Sequence, residues 1–237
     1  MRTPLTFAIL IAAGPVLAAI TAPETPAASP AFDIMSADIS RTGEKLTFSM
    51  AISGDAGTDV PTAVGALAGA PVWSYVWPTS LDPATVGFED GTGILALAST
   101  AHPDFDDTPL YDEDGDGDKN DDGAGWHSHW VVLIPNDACG AGALSVRDIP
   151  EGASPKLPAT WPGLPLFIDS PDARPLFEGH NISVTLALPS GTDLTAFKFD
   201  GVTSALRVNQ SVHAPLLCLV DVWDVASGDL SLPGTVE

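Results

Sequence analysis

The sequence predicts an all-β protein, an antiparallel β-sandwich with long loops, one of them an acidic calcium-type loop. Three observations predict it. Period-2 hydrophobic alternation recurs along the chain, as in Leu46, Phe48, Met50 and Ile52 against Lys45, Thr47, Ser49 and Ala51. The 22 glycines and 22 prolines interrupt the chain between short apolar runs. No stretch of helical length shows 3.6-residue periodicity.

Taken in order, residues 1–22 carry Arg2, an apolar run from Leu5 to Ile20 and a cleavage-like Val16-Leu17-Ala18, the layout of a secretory signal peptide. Pro15 and the shortness of the run argue against a membrane anchor, and no later run reaches the roughly 20 apolar residues that span a bilayer. Residues 23–31 read as a mobile Pro/Ala-rich leader, and 32–237 as a single β-sandwich domain. A hairpin opens that domain, turning at Arg41-Thr42-Gly43-Glu44. Val72–Trp77 sets Trp73, Tyr75 and Trp77 on one strand face, and the continuous apolar run Gly93–Ala98 suits a sheet centre. Strands follow at Trp126–Ile134 and Ala143–Ile149. Seven prolines between 150 and 180 then exclude regular helix or central strand. Ile182, Val184, Leu186 and Leu188 restore alternation, and Phe197–Phe199, Ala205–Val208 and Leu216–Trp223 complete about ten strands.

The formal net charge is −22, which disfavours nucleic acid and anionic lipid surfaces as partners. The two cysteines, Cys139 and Cys218, read as one disulfide of an oxidising compartment, secreted or periplasmic. Closing so long a loop contributes roughly 4 kcal/mol in the chain-entropy model.

The acids concentrate between residues 104 and 122. Asp112, Asp114, Asp116, Asp118 and Asn120 occupy alternate positions around Gly117, the D-x-D-x-D-G opening of a calcium loop. Gly123 stands where a bidentate Glu is expected; Asp121 or Asp122 next to it, or Asp104, Asp106 or Asp107 upstream, could substitute. A solvated acidic turn without an ion is the alternative, although so many neighbouring carboxylates repel one another.

Three of the five histidines lie in the same region. On a strand starting at Trp126, His127 and His129 share a face with Val131 and Leu133, while Trp126, Ser128 and Trp130 point away. An H-x-H pair offers two adjacent imidazoles to zinc or copper. If the Gly93–Ala98 strand pairs antiparallel with the Trp126 strand, His102 arrives beside both. His180 and then His213 are candidates for a further ligand. The bland alternative is a set of histidines hydrogen-bonded to nearby carboxylates. No G-x-S-x-G, H-E-x-x-H or Gly-rich phosphate loop is present.

Trp126, His127, His129, His180 and the Asp112–Asp118 loop together resemble the MopE/CorA-type copper-binding surface proteins of methanotrophs. That resemblance implies a β-rich fold holding one copper through histidines and an oxidised tryptophan, here Trp126, with calcium nearby. The opening strands are also similar to DOMON-type and related carbohydrate-binding sandwiches. The sequence therefore reads as an exported, non-enzymatic metal-binding protein, with copper or zinc at the histidines beside structural calcium. Two alternatives remain. One is a carbohydrate-binding module stacking sugars on Trp73, Tyr75 and Trp77. The other is a metal-dependent enzyme using the same histidines.

Overall fold

The computed structural model describes residues 19–26, 28–107, 110–112, 117–119, 124–211, 213 and 215–236. The predicted signal peptide, residues 1–22, lies mostly outside them. In chain order the strands are β1 (Ile20–Thr21), β2 (Ile34–Thr42), β3 (Lys45–Ile52), β4 (Pro71–Pro78), β5 (Ile94–Ala101), β6 (His127–Pro135) and β7 (Leu144–Val146). They continue with β8 (Ile168–Asp169), β9 (Pro175–Glu178), β10 (Asn181–Ala187), β11 (Lys198–Phe199), β12 (Val202–Val208), β13 (Leu217–Val225) and β14 (Gly234–Thr235). The strands beyond the ten read from the sequence are mostly two-residue pieces, too short to carry an alternation.

The all-β, antiparallel class stands. One layer is a five-stranded sheet in the order β1-β2-β3-β10-β9. The other runs β5-β4-β12-β13-β7-β6 and closes on itself through a β5–β6 pairing, so six strands form a barrel, with β8 added to the edge of β6. Closure removes the sheet edges that β5 and β6 would otherwise expose.

This arrangement explains two kinds of strand. The five-stranded sheet buries one face, so β3 alternates between buried Leu46, Phe48, Met50, Ile52 and partly exposed neighbours. Strands β5 and β6 are buried on both faces, hence their continuous apolar runs. Their outward residues Leu95, Leu97, Trp130 and Val132, with Tyr75 and Trp77 of β4, pack against the five-stranded sheet. Phe48 is the hub there, edge-on to Trp77 at 6.1 Å and to Trp130 at 5.7 Å. Their inward residues, Ala96, Ala98, Val131 and Leu133, join a second apolar cluster inside the barrel. Gly93 lets the chain enter β5 this close, because a Cβ there would lie 2.5 Å from the Leu133 carbonyl oxygen.

One expectation is corrected. Trp73, Tyr75 and Trp77 do share a face, but Tyr75 and Trp77 are fully buried between the layers, so they offer no surface on which a sugar could stack. Within the stretch 23–31, Thr25 donates to Asp33 and Asp224, and the chain just before the stretch pairs with β2. The proline-rich stretch holds neither helix nor central strand, as expected: its two strands, β8 and β9, are both at sheet edges, and Pro175 stands first in β9.

Cys139 and Cys218 form a disulfide, with Cα atoms 5.4 Å apart. It ties the short 3-10 turn after β6 to the start of β13, locking two walls of the barrel together.

A buried three-histidine, one-aspartate centre

The pairing of β5 with β6 sets Thr100 opposite His127 and Ala98 opposite His129. His127 and His129 are two residues apart and so point the same way, into the barrel. His102 follows the end of β5 on the inward phase set by Ala98 and Thr100, as antiparallel pairing requires. The chain then turns back on itself, stacking the Phe105 ring on His102 at 3.9 Å, and delivers Asp107 to the three imidazoles. Ser170 donates a hydrogen bond to the Asp107 carbonyl at 3.1 Å and holds this turn against the chain following β8.

The four side chains are buried: His102 and His129 are 1 % exposed, His127 0 % and Asp107 4 %. Asp107 Oδ1 lies 3.1 Å from His102 Nε2, 3.1 Å from His127 Nε2 and 3.2 Å from His129 Nε2. His102 Nε2 and His127 Nε2 are 2.9 Å apart. All four ligand atoms fall within 4.8 Å of one another.

The other ring nitrogen of each histidine fixes its role. His102 Nδ1 meets the Phe105 carbonyl at 2.9 Å, His127 Nδ1 the Gly125 carbonyl at 3.1 Å, and His129 Nδ1 the Asp169 carbonyl at 3.2 Å. A carbonyl only accepts, so each Nδ1 carries a hydrogen, and in its neutral form each ring turns an Nε2 lone pair inward. This is the outer arrangement that orients histidine ligands around a metal. Asp169 is in turn held by Thr160, whose hydroxyl donates to its carboxylate at 2.5 Å.

The centre therefore gathers three nitrogen lone pairs and a carboxylate oxygen with too few hydrogens to join them. Despite the short separations, Asp107 Oδ1 and His129 Nε2 have no partner in hydrogen-bonding geometry. A buried polar atom left so costs about 1–3 kcal/mol, more when charged. Burial pushes the Asp107 carboxyl up, yet when the neighbouring rings carry a proton on Nε2, attraction to His102 and His129 and hydrogen bonding from His102 and His127 outweigh it. The group is held well below the ordinary carboxylate range. An aspartate among three imidazoles could hold a metal ion. Spacing supports a metal: with metal–nitrogen bonds of about 2.0–2.1 Å, a tetrahedron has edges of about 3.3 Å.

Of the sequence-derived ligands, His102, His127 and His129 are brought together. His180 and Trp126 are not. His180 is exposed at the turn before β10 and bonds through Nδ1 to the Gly54 carbonyl. Trp126 packs on Tyr75 and Phe177 outside the barrel and donates through Nε1 to the Gly57 carbonyl at 3.0 Å. His213 pairs with Asp148 at 3.1 Å. Asp107 is the correction in the other direction. It was one of several acids that could complete the calcium loop, and the fold directs it to the histidines. Its neighbour Asp104 accepts from the backbone of Val64 and Gly65. Only the fixed Nδ1 bonds and the turn at Phe105, neither visible as a pattern, single Asp107 out.

In the calcium-type loop, Asp114, Asp116, Asn120 and Asp122 lie outside the described residues. Asp112 accepts a hydrogen bond from the Gly117 backbone at 3.0 Å. Among the described residues no helix is long and apolar enough to cross a membrane. No family model, curated protein or solved structure matches the chain.

Proposed function

We propose that this is an exported metal-binding protein whose resident transition metal, copper or zinc, is held by His102, His127, His129 and Asp107. One observation carries the reading: three Nε2 lone pairs, each fixed by an Nδ1–carbonyl bond, converge with a carboxylate oxygen that has no hydrogen-bond partner. A set of three imidazoles and one carboxylate suits copper, zinc or iron, whereas calcium and magnesium require all-oxygen shells. The resemblance to MopE/CorA-type proteins favours copper. The role it implies for Trp126 has no counterpart in that residue's position outside the barrel. The disulfide supports export to an oxidising compartment.

Calcium in the Asp112–Asp122 loop is the second part of the reading. The Asp112–Gly117 bond closes the turn that a D-x-D-x-D-G loop uses to fold its carboxylates inward. The loop leads directly into β6, so an ion there would stabilise the approach to His127.

Elemental analysis of the purified protein tests both parts. We expect close to one copper or zinc per chain, lost in His127→Ala/His129→Ala, and calcium that persists in that variant. Protein reloaded with both ions should melt higher than chelated protein, and calcium alone should protect the 103–125 loop from proteolysis. Failure of the double histidine variant to lose the transition metal would refute the first part. A loop cut equally fast with and without calcium would refute the second.

A further inference from the structure

The barrel is not filled. Its lumen holds a cavity of about 170 Å³ to which all six barrel strands contribute. The reason lies in the inward residues, which are small or β-branched where a six-stranded barrel needs bulk: Ala98 on β5, Val131 on β6, Val72 and Val76 on β4. The wall is almost wholly apolar. Its ionisable groups gather at one end, where His102, Asp107 and His129 form the floor with Thr100, and the two hydroxyls elsewhere on the wall are already hydrogen-bonded, Thr79 to the Leu95 carbonyl and Ser204 to Ser74. At the other end of β5 the cavity is bordered by Ile94, and across it by Val222 and Leu230. These three are 37 %, 47 % and 42 % exposed, an apolar rim on an otherwise strongly acidic molecule.

We infer that the lumen binds a small apolar molecule, one aromatic ring or a short alkyl chain in size, which enters past Ile94, Val222 and Leu230 and presents a metal-ligating atom to the His102–Asp107–His129 floor. The size follows from the volume: an apolar cavity of about 150 Å³ stays dry and takes up benzene. Polarity follows from the wall, which away from the floor offers only the hydroxyls of Thr79 and Ser204, both already hydrogen-bonded within the protein. The ligating atom follows from the floor, since the only groups there that recognise chemistry are the metal's own ligands. A largely apolar pocket with a few polar groups converging at one end is the usual form of a small-molecule site. The ligating half rests on the metal reading above; the lumen half does not.

Benzene and pyridine separate the two halves, because they match in shape and differ in one ligating nitrogen. The full-length protein is used metal-free and loaded with Co²⁺, whose absorption reports its ligands. Benzene should bind saturably to both forms, shifting the methyl resonances of Val131 and Val76 and leaving the Co²⁺ bands unmoved. Pyridine should alter the Co²⁺ bands at least tenfold more readily in the wild type than in Ala98→Leu, which fills the lumen, or Val222→Trp, which obstructs an exposed part of the rim without touching the core. Absence of saturable benzene binding would overturn the lumen site. Benzene binding with pyridine acting equally on all three proteins would overturn the link to the metal. Failure to take up Co²⁺ would overturn the ligating half and the metal reading together, while the benzene arm would still decide the lumen.

Discussion

Replacing Asp107 by Asn tests the metal centre most directly, because it removes the only anion from the group and leaves its shape. In the wild type, Asp107 Oδ1 lies 3.1–3.2 Å from three Nε2 atoms and makes no well-formed hydrogen bond. A closed zinc site contributes about 10–16 kcal/mol of apparent binding free energy at neutral pH, so one of four ligands carries about 2.5–4 kcal/mol. At 1.4 kcal/mol per decade, that is a loss of roughly 10²–10³ in affinity. The charge lost with Asp107 places the expectation toward the upper end. Competition with a chromophoric chelator measures it, with His213→Ala as the control, since His213 pairs with Asp148 and, among the described residues, joins no cluster of metal-ligating side chains. The control should bind as the wild type does. Affinity of Asp107→Asn within threefold of wild type would refute the assignment and leave the three histidines as a hydrogen-bonded group.

Two further outcomes follow from the fold. Reducing the Cys139–Cys218 bond frees a loop spanning 79 positions and should lower stability by about 4 kcal/mol, with both thiols labelled only after reduction; labelling of the unreduced, denatured protein would contradict it. Burial, opposed by the Gly57 hydrogen bond and reinforced by the charge of Asp59, pushes the Tyr75 hydroxyl up to about 12. Because folding favours the neutral phenol, its contribution is complete below about pH 10, where the unfolded tyrosine begins to ionise, and is lost by about pH 12. That loss, about 2–3 kcal/mol, should vanish in Tyr75→Phe. Ultraviolet titration of the wild type should show a phenol ionising well above pH 10 that is missing in Tyr75→Phe, and an identical titration of the two proteins would count against the burial argument.

The sequence by itself determined the all-β class, because alternation such as Leu46-Phe48-Met50-Ile52 is a local consequence of one buried face. It determined the shared face of His127 and His129, because side chains two apart on a strand must point the same way. It also determined the approach of His102, conditional on one antiparallel pairing, and the disulfide, because there were only two cysteines to join. Tertiary structure decided the rest. Pairings between strands far apart in the chain, β4 with β12 and β13 with β7, join the neighbouring β5 and β6 into a closed ring and convert a sandwich layer into a barrel with a lumen. No local pattern distinguishes a tryptophan on a buried face from one on a binding face, so the fate of Trp73, Tyr75 and Trp77 waited on which layer covered them. Asp107 was one acid among many in its stretch. A carboxylate on an irregular loop has no periodicity to aim it, and only the folded turn at Phe105, pinned by Ser170 from a distant edge strand, carries it to the histidines.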